Sequence, residues 1–362
     1  MTLRILWLSH RDPLNPKAGG VGRTIHEVCT RLAKNGHYVT LLTGGWNGCK
    51  KVEYIQGVKV CRYGRSFGPH ITLPIYLAKY KYDIIVNDLG HAIPWVSSPV
   101  LGKHTIAFFH HLHARSLPGQ VNTLLAKTIT SIEKCYFLIY RNTPFVTESS
   151  KSNADLKNLG IGEKMIHIIP PGVNRDLFQP IEKAESPTMV YFGGMRRYKR
   201  PEESIYLIET MIHKINNIEL IIVGTGPQKT HLENLVRERK LQDSVKFTGR
   251  LDDKELAKVV ASSWLNIHVS ITEGWGLSII EASSAGTPTV AYNVPGVVDT
   301  IENGINGLRV KDGDKEALAE AALEILNDPN KWWSSSVEVA AKYSWDRTAE
   351  MWDNLIHKIA EG

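Results

Sequence analysis

The chain has 362 residues, more than one hydrophobic core usually serves, and two domains of ordinary size account for it. Hydrophobic residues make up 43% and charged residues 22%, which excludes disordered and fibrous classes. The formal net charge of +6 suits anionic small molecules or an acidic membrane surface as well as nucleic acid, so charge alone selects no partner.

In chain order, the opening RILWLSHRD has too short an apolar run for a signal peptide. No window approaches the ~20 apolar residues of a membrane span, so a cytoplasmic protein is expected, with any membrane contact peripheral. A strand is expected over 3–9, then a helix from Val21 to about Asn35 and a strand over 37–43. In that helix Ile25, Val28 and Leu32 recur at helical spacing, and Gly36 sits where a C-terminal cap is wanted. Further strands are expected at 82–87, 104–110, 144–149 and 165–170, and the alternation with helices argues for a parallel sheet with crossover helices. Cys29, Cys49, Cys61 and Cys135 form no CxxC pair; they read as partly buried thiols in a reducing compartment.

Residues 170–187, with four prolines and no clear period, read as the connection between domains. A second strand-helix series follows, with strands at 188–194, 218–224, 244–249, 264–270 and 287–292. After Pro329 the chain reads as helical to its end, with Trp332, Trp333, Trp345 and Trp352 on packing faces. The expected fold class is α/β, with two doubly wound domains: residues 1–170, joined by a C-terminal helix over 345–362, and residues 171–344. In open α/β sheets ligands bind beyond the C-terminal ends of strands, so the loops after strands hold the chemistry.

The loop KAGGVGR, with Gly19 and Gly20, is either a permissive turn or a place where backbone amides and a helix start meet an anion. FFHHLH ends a strand with His110, His111 and His113; lacking a carboxylate or cysteine at ligand spacing, it reads as one crevice histidine, a catalytic hydrogen-bonding or proton-transfer group, beside structural or acceptor-facing neighbours, not as a metal site. FGGMRRYKRP sets Arg196, Arg197, Lys199 and Arg200 after a strand, able to neutralise a diphosphate, although on this stretch alone a solvated basic loop is the better explanation of the cations. VGTGPQK imitates a dinucleotide fingerprint, but Lys229 replaces its third glycine and no acidic residue closes a strand about 20 residues on, which counts against a dehydrogenase. Asp312 and Asp314 make a DxD, for which turn formation and helix capping suffice without metal.

The most informative stretch is TEGWGLSIIEASSAGTP, residues 272–288. Gly274 and Gly276 keep the backbone accessible, and the amides of Gly276, Leu277 and Ser278 open a helix where they can hold a phosphate oxygen. Glu281 lies about one turn into that helix and Glu273 before the loop, and each carboxylate matches a pair of sugar hydroxyls. One diphosphate with a sugar at each end would use the whole arrangement.

EGWGLSIIEASSAGTP resembles the ExxxxxxxE signature of the retaining glycosyltransferases of family 4, and the likeness continues through AGGVGR, FFHHLH, IIPPGVNRDLF, VGTGP and ENGINGLRV. The resemblance implies a GT-B fold, two Rossmann-like domains facing a central cleft, with the acceptor in the first and the nucleotide-sugar donor in the second. It implies that Glu281 binds the ribose, that Glu273 binds the transferred sugar, and that Gly19, Gly20, Gly276 and Leu277 serve the diphosphate. Lys199 would neutralise that diphosphate, His110 would face the transferred sugar and acceptor, and Arg250 and Leu251 would lie near the nucleobase. The family often has GRL where this chain has GGM, so Gly194 stands in an arginine position that Arg196 or Arg197 would fill.

The expected activity is retaining transfer of a hexose-type sugar from a UDP- or GDP-sugar to a carbohydrate, lipid-linked or small-molecule hydroxyl. No metal, other cofactor or nucleic acid is expected, and the motifs carry no oligomeric state. A glycoside hydrolase with paired glutamates needs no phosphate cradle. A silent nucleotide-sugar-binding subunit is opposed by the intact Glu273, Glu281, Lys199 and His110. The apolar residues of 124–141, which also carries Lys127, Lys134 and Arg141, read as core packing before lipid contact.

Overall fold

The structure, a computed structural model, describes residues 1–10, 12–15, 19–65, 68–90, 94–95, 104–112, 117 and 122–361. The chain divides into two units, Met1–Gly172 with Trp345–Gly362, and Val173–Ser344. The first contains β1 (Arg4–Leu8), α1 (Gly20–Lys34), β2 (Tyr38–Thr43), β3 (Val52–Ile55), β4 (Val58–Arg62), α2 (Gly68–Lys79) and β5 (Ile84–Asp88). It continues with β6 (Thr105–Phe109), α3 (Thr123–Lys134), α4 (Tyr136–Ile139), β7 (Phe145–Thr147), α5 (Ser150–Asn158) and β8 (Ile166–Ile168). The second unit contains β9 (Thr188–Phe192), α6 (Glu202–Met211), β10 (Glu219–Val223), α7 (Lys229–Glu238), β11 (Val245–Gly249), α8 (Asp253–Ser262) and β12 (Leu265–His268). It ends with α9 (Leu277–Ser284), β13 (Thr289–Tyr292), β14 (Gly307–Val310), α10 (Lys315–Asn327) and α11 (Asn330–Ala340); α12 (Trp345–Glu361) belongs to the first unit.

In the first unit the sheet order is β3-β4-β2-β1-β5-β6-β7-β8, parallel except for the β3–β4 pair. β5 and β6 are buried along their whole length, as strands covered on both faces must be. Trp352 of α12 packs 4.8 Å from Trp7 and edge-on to Phe108 at 5.2 Å, giving α12 an aromatic anchor on this sheet. Gly36, at φ 94°, ends α1 in the left-handed region, as its spacing predicts. The β3–β4 hairpin is absent from the strands expected above: its Gln56-Gly57 corner has φ 46° and 87°, a tight reversal that pairs the short edge strand β3 with β4.

The second unit's sheet is wholly parallel, in the order β11-β10-β9-β12-β13-β14. Its connecting segment is tied to it by Lys183, whose ammonium donates to Ala261 O, Ser263 O and Thr287 Oγ1 at 2.7–3.0 Å. The terminal helical stretch is broken between α11 and α12, where Tyr343 leaves the first helix and packs edge-on to Trp275 at 5.2 Å. Trp332 and Trp345 are buried with Trp352, and Trp333 is half-buried. Of the cysteines, Cys29 and Cys61 are buried and Cys49 is half-buried, but Cys135 is exposed, at the end of α3.

Candidate active site

In the second unit β9 and β12 are neighbours, so the loops leaving their C-terminal ends meet. Lys199 comes from the first loop and Glu273 from the second, and the ammonium bonds Glu273 Oε1. Ser270 Oγ donates to the same oxygen at 2.6 Å. His268 Nε2 lies 3.2 Å from it without hydrogen-bond alignment. Glu273 Oε2 receives nothing from a described residue. Burial penalises the Glu273 carboxylate, but Lys199 and His268 outweigh it and hold the group well below the usual range. Lys199 is the reciprocal case, with burial opposed and exceeded by Glu273 and Tyr198, so it stays protonated.

Gly276 starts α9 at φ 95°, a left-handed conformation in which a Cβ would also press within 3.0 Å of Ile279 Cδ1. The amides of Leu277 and Ser278 then have no intrahelical acceptor. Glu281 is buried in the second turn, 8% exposed. Gly296, at φ 85°, backs this loop: a Cβ there would stand 2.5 Å from Glu273 O. Arg200 clamps the other side, donating to Val269 O at 2.7 Å and Ser270 O at 3.0 Å, and pairing with Asp312 at 2.5 Å. Asp314 caps α10 through the Ala317 amide at 3.0 Å. Both aspartates of the DxD thus have structural partners.

Arg196 and Arg197 are exposed, and Lys199 lies in the short turn they open. A Cβ on Gly194 would lie 3.8 Å from Arg196 Nε and 3.9 Å from its Cγ, so the Arg196 side chain runs beside the place a residue-194 side chain would leave from.

In the first unit β5, β6 and β7 lie side by side, and each contributes a charged group just at or past its C-terminal end. His110, after β6, is buried between the other two: Nε2 lies 2.8 Å from Asp88 Oδ1, and Nδ1 lies 3.0 Å from Glu148 Oε2. Burial alone would lower the imidazole pKa; the two carboxylates reverse that and push it up to about 10. Asp88, also fully buried, is held at about 2 by His110, Ser9 and the Gly90 amide against the cost of burial. Both ring nitrogens of His110 are therefore committed to carboxylates, and the group is an imidazolium inside the protein rather than a free hydrogen-bonding face. His111 is half-buried and His113 lies outside the described residues. Gly19 and Gly20 are exposed at the start of α1, and a Cβ on Gly19 would meet nothing within 4 Å. Upstream of them, Asp12 forms a buried pair with Arg62 at 2.6 Å.

Among the described residues, one other cluster brings metal-ligating side chains together. His37 Nε2 and His357 Nδ1 lie 2.9 and 3.0 Å from Asp353 Oδ1. His37 Nδ1 accepts the Leu3 amide at 3.1 Å, which puts the ring proton on Nε2, where a metal would need a lone pair. The group reads as a hydrogen-bonded tie between α12 and the turn that leads into β2.

Residues 173–339 match the family described as "Glycosyl transferases group 1", and residues 18–177 match "Glycosyltransferase Family 4". The chain is a family 4 glycosyltransferase. It is 28% identical to a GDP-mannose-dependent alpha-(1-6)-phosphatidylinositol monomannoside mannosyltransferase of Mycobacterium tuberculosis, over 99% of this chain and 97% of the relative. Among solved structures it is similar to a sucrose-phosphate synthase of Thermosynechococcus elongatus, with a TM-score of 0.82, 25% identity and 98% of each chain covered. HepE of Anabaena, solved with UDP-glucose, has the same fold, with a TM-score of 0.73 and 16% identity over 98% of this chain and 99% of that one. The fold is GT-B, with two Rossmann-like α/β domains.

Several residues of this glycosyltransferase were unmarked by its motifs. Ser270 and His268 gather on Glu273, Arg200 and Gly296 brace its loop, and Asp88 and Glu148 enclose His110. Only Arg200 lay in a stretch singled out from the sequence, and there as one cation among four. The glycines of VGTGP have a packing reason: a Cβ on Gly224 would come within 2.0 Å of Gly193 O, and one on Gly226 within 2.4 Å of Met195 O. These contacts lock the β10 turn against the loop bearing Arg196 and Lys199. Arg250 is exposed and Leu251 half-buried, beside the Gly224 turn through the Gly224 N–Gly249 O bond of 2.8 Å. No helix among the described residues is long and apolar enough to cross a membrane.

Proposed function

We propose that this glycosyltransferase moves a hexose-type sugar from a UDP- or GDP-sugar to an acceptor hydroxyl with retention of configuration. The observation that carries the reading is the Glu273 carboxylate: ionised, with one oxygen held by Lys199 and Ser270 and the other open to sugar hydroxyls, just before the free amides of α9. Glu273, held ionised, is not suited to be the protonated general acid of a hydrolase pair.

In this reading the amides of Gly276 and Leu277, with Lys199, receive the diphosphate, and Glu281 holds the ribose. Arg196, not Arg197, takes the place of the arginine missing at Gly194, because its side chain already runs beside that position. Attack comes from the face the leaving group departs. The anomeric carbon–oxygen bond breaks, the acceptor oxygen bonds that carbon, and the departing phosphate oxygen takes the acceptor's proton. The protein stabilises the charge that gathers on the diphosphate and positions the partners. The cations and amides do this without a metal, since Asp312 and Asp314 are engaged elsewhere. His110, as a buried imidazolium, ties together the C-terminal ends of β5, β6 and β7 rather than passing a proton to the substrate.

A lipid-linked acceptor at an anionic membrane is favoured by one surface. Residues 56–82 contain no Asp or Glu, Ile71 and Ile75 of α2 are 75% and 71% exposed, and Lys79, Tyr80 and Lys81 follow them. Leu124 and Leu125 of α3 are likewise exposed, where core packing was expected of them. Aliphatic side chains flanked by lysine and tyrosine suit the headgroup boundary.

The test separates the two glutamates. Glu281 would bind ribose in ground and transition states alike, so Glu281→Gln should weaken UDP or GDP binding by roughly 10- to 150-fold. Glu273 touches only the sugar, so Glu273→Gln should leave free-nucleotide affinity nearly unchanged and lower kcat by a comparable factor. Calorimetric titration alongside kinetics decides; loss of nucleotide binding in Glu273→Gln with retention in Glu281→Gln would reverse the assignment.

A further inference from the structure

Three donors converge on Glu273 Oε1, and only two of them are bonded to it. Lys199 and Ser270 are; His268 Nε2 is 3.2 Å away, buried, and has no hydrogen-bond partner. Its ring is not idle in orientation. His268 ends β12, is 5% exposed, and its Nδ1 lies 3.1 Å from Ser278 Oγ in the first turn of α9. Because a carboxylate offers only acceptors, Nε2 must carry the proton facing Glu273, and the Ser278 hydroxyl then donates to Nδ1. A buried N–H without a partner is costly, so a donor held 3.2 Å from an acceptor that two other groups already hold calls for an explanation.

Donor binding supplies a moment at which that acceptor becomes vacant. Lys199 is bonded to Glu273 in the structure, yet in the donor-site reading it also receives the diphosphate. When two phosphate charges arrive, the ammonium is drawn toward them, and Glu273 Oε1 loses a charge-assisted bond just when its other oxygen must hold the sugar. We propose that His268 is a positioning residue for Glu273, a reserve donor, oriented by Ser278, that takes the place of Lys199 on Oε1 when Lys199 turns to the diphosphate. This rests on the donor-site reading and deepens it: the lysine can serve two anions in turn because the histidine keeps the carboxylate from swinging. Serine in the helix start couples the ring to the same turn whose amides would meet the phosphate.

Two experiments test it, one without any ligand. In Lys199→Ala the place on Oε1 is open, so the 15N-labelled imidazole of His268 should remain an Nε2–H tautomer and its Nε2 proton should move downfield as it bonds Glu273. Adding Glu273→Gln should abolish most of that shift. An Nε2 resonance that stays put in Lys199→Ala, or moves equally in the double variant, overturns the proposal whatever the enzyme's substrate. The second uses turnover of the sugar nucleotide that the wild-type enzyme accepts. His268→Leu should lower kcat by roughly 10- to 150-fold, the loss of one hydrogen bond to a charged group, while affinity for free UDP or GDP stays within about twofold. His268→Gln, which keeps an N–H near the Nε2 position, should recover most of kcat, and His268→Leu should add little in the Glu273→Gln background. Equal losses in both backgrounds, or no recovery with glutamine, would assign His268 a merely structural role. A wild-type enzyme inactive with every sugar nucleotide would refute the donor-site reading and leave the ligand-free result to judge His268.

Discussion

Replacing His110 by alanine removes the one cation between two buried carboxylates, Asp88 and Glu148. The cost can be approached from two sides. Breaking a buried pair by deleting one partner costs about 3–5 kcal/mol, because an uncompensated charge remains in the interior. Proton linkage gives a similar figure: a rise from 6.5 to about 10 corresponds to on the order of 5 kcal/mol between the protonated and neutral forms. The sign follows from the direction of the shift. The folded state binds the His110 proton more tightly than the unfolded state, so this stability is fully present below pH about 6.5 and is lost as the pH rises toward 10. Asp88 acts oppositely at the acid end, where its contribution fades as the pH falls from its ordinary value, near 3.8, toward about 2. The difference in stability between wild type and His110→Ala should therefore be largest between pH ~4 and ~6.5 and should shrink steadily toward pH 10. Because two-domain chains need not unfold in one step, hydrogen exchange of the β5 and β6 amides should be read beside calorimetry. A gap between wild type and variant that stays constant from pH 6.5 to 9.5 would show that His110 is not the buried imidazolium described here.

Two further outcomes are expected. Transfer should persist in EDTA; loss restored by Mg²⁺ or Mn²⁺ and abolished by Asp312→Ala would instead place a metal on the diphosphate. Gly296→Ala should lower kcat through displacement of Glu273, since the added Cβ would stand 2.5 Å from Glu273 O at a left-handed position; kinetics equal to wild type in the folded variant would show that the loop has slack. The overpacking itself should cost about 1–3 kcal/mol in a thermal or denaturant melt.

The sequence by itself determined the alternating strands and helices, the change of domain near residue 170, and the strand-glycine-helix loop holding both glutamates. These depend on periodicity and on residues within one short window: Ile25, Val28 and Leu32 mark a helix face, and Gly276 meets a left-handed backbone that other side chains resist. The β3–β4 hairpin escaped because its strands are short, although its Gln56-Gly57 corner was present to be read. What lies around the chemistry was decided by tertiary structure alone. Asp88, His110 and Glu148 end up together because β5, β6 and β7 are neighbours, and Lys199 reaches Glu273 because β9 lies beside β12. Strand order is set by how helices cover both faces of each sheet, and no local spacing encodes it. For the same reason a histidine that reads as an open catalytic group in FFHHLH becomes a doubly bonded cation: its charge state belongs to two carboxylates on separate strands, brought within 3.0 Å only by folding.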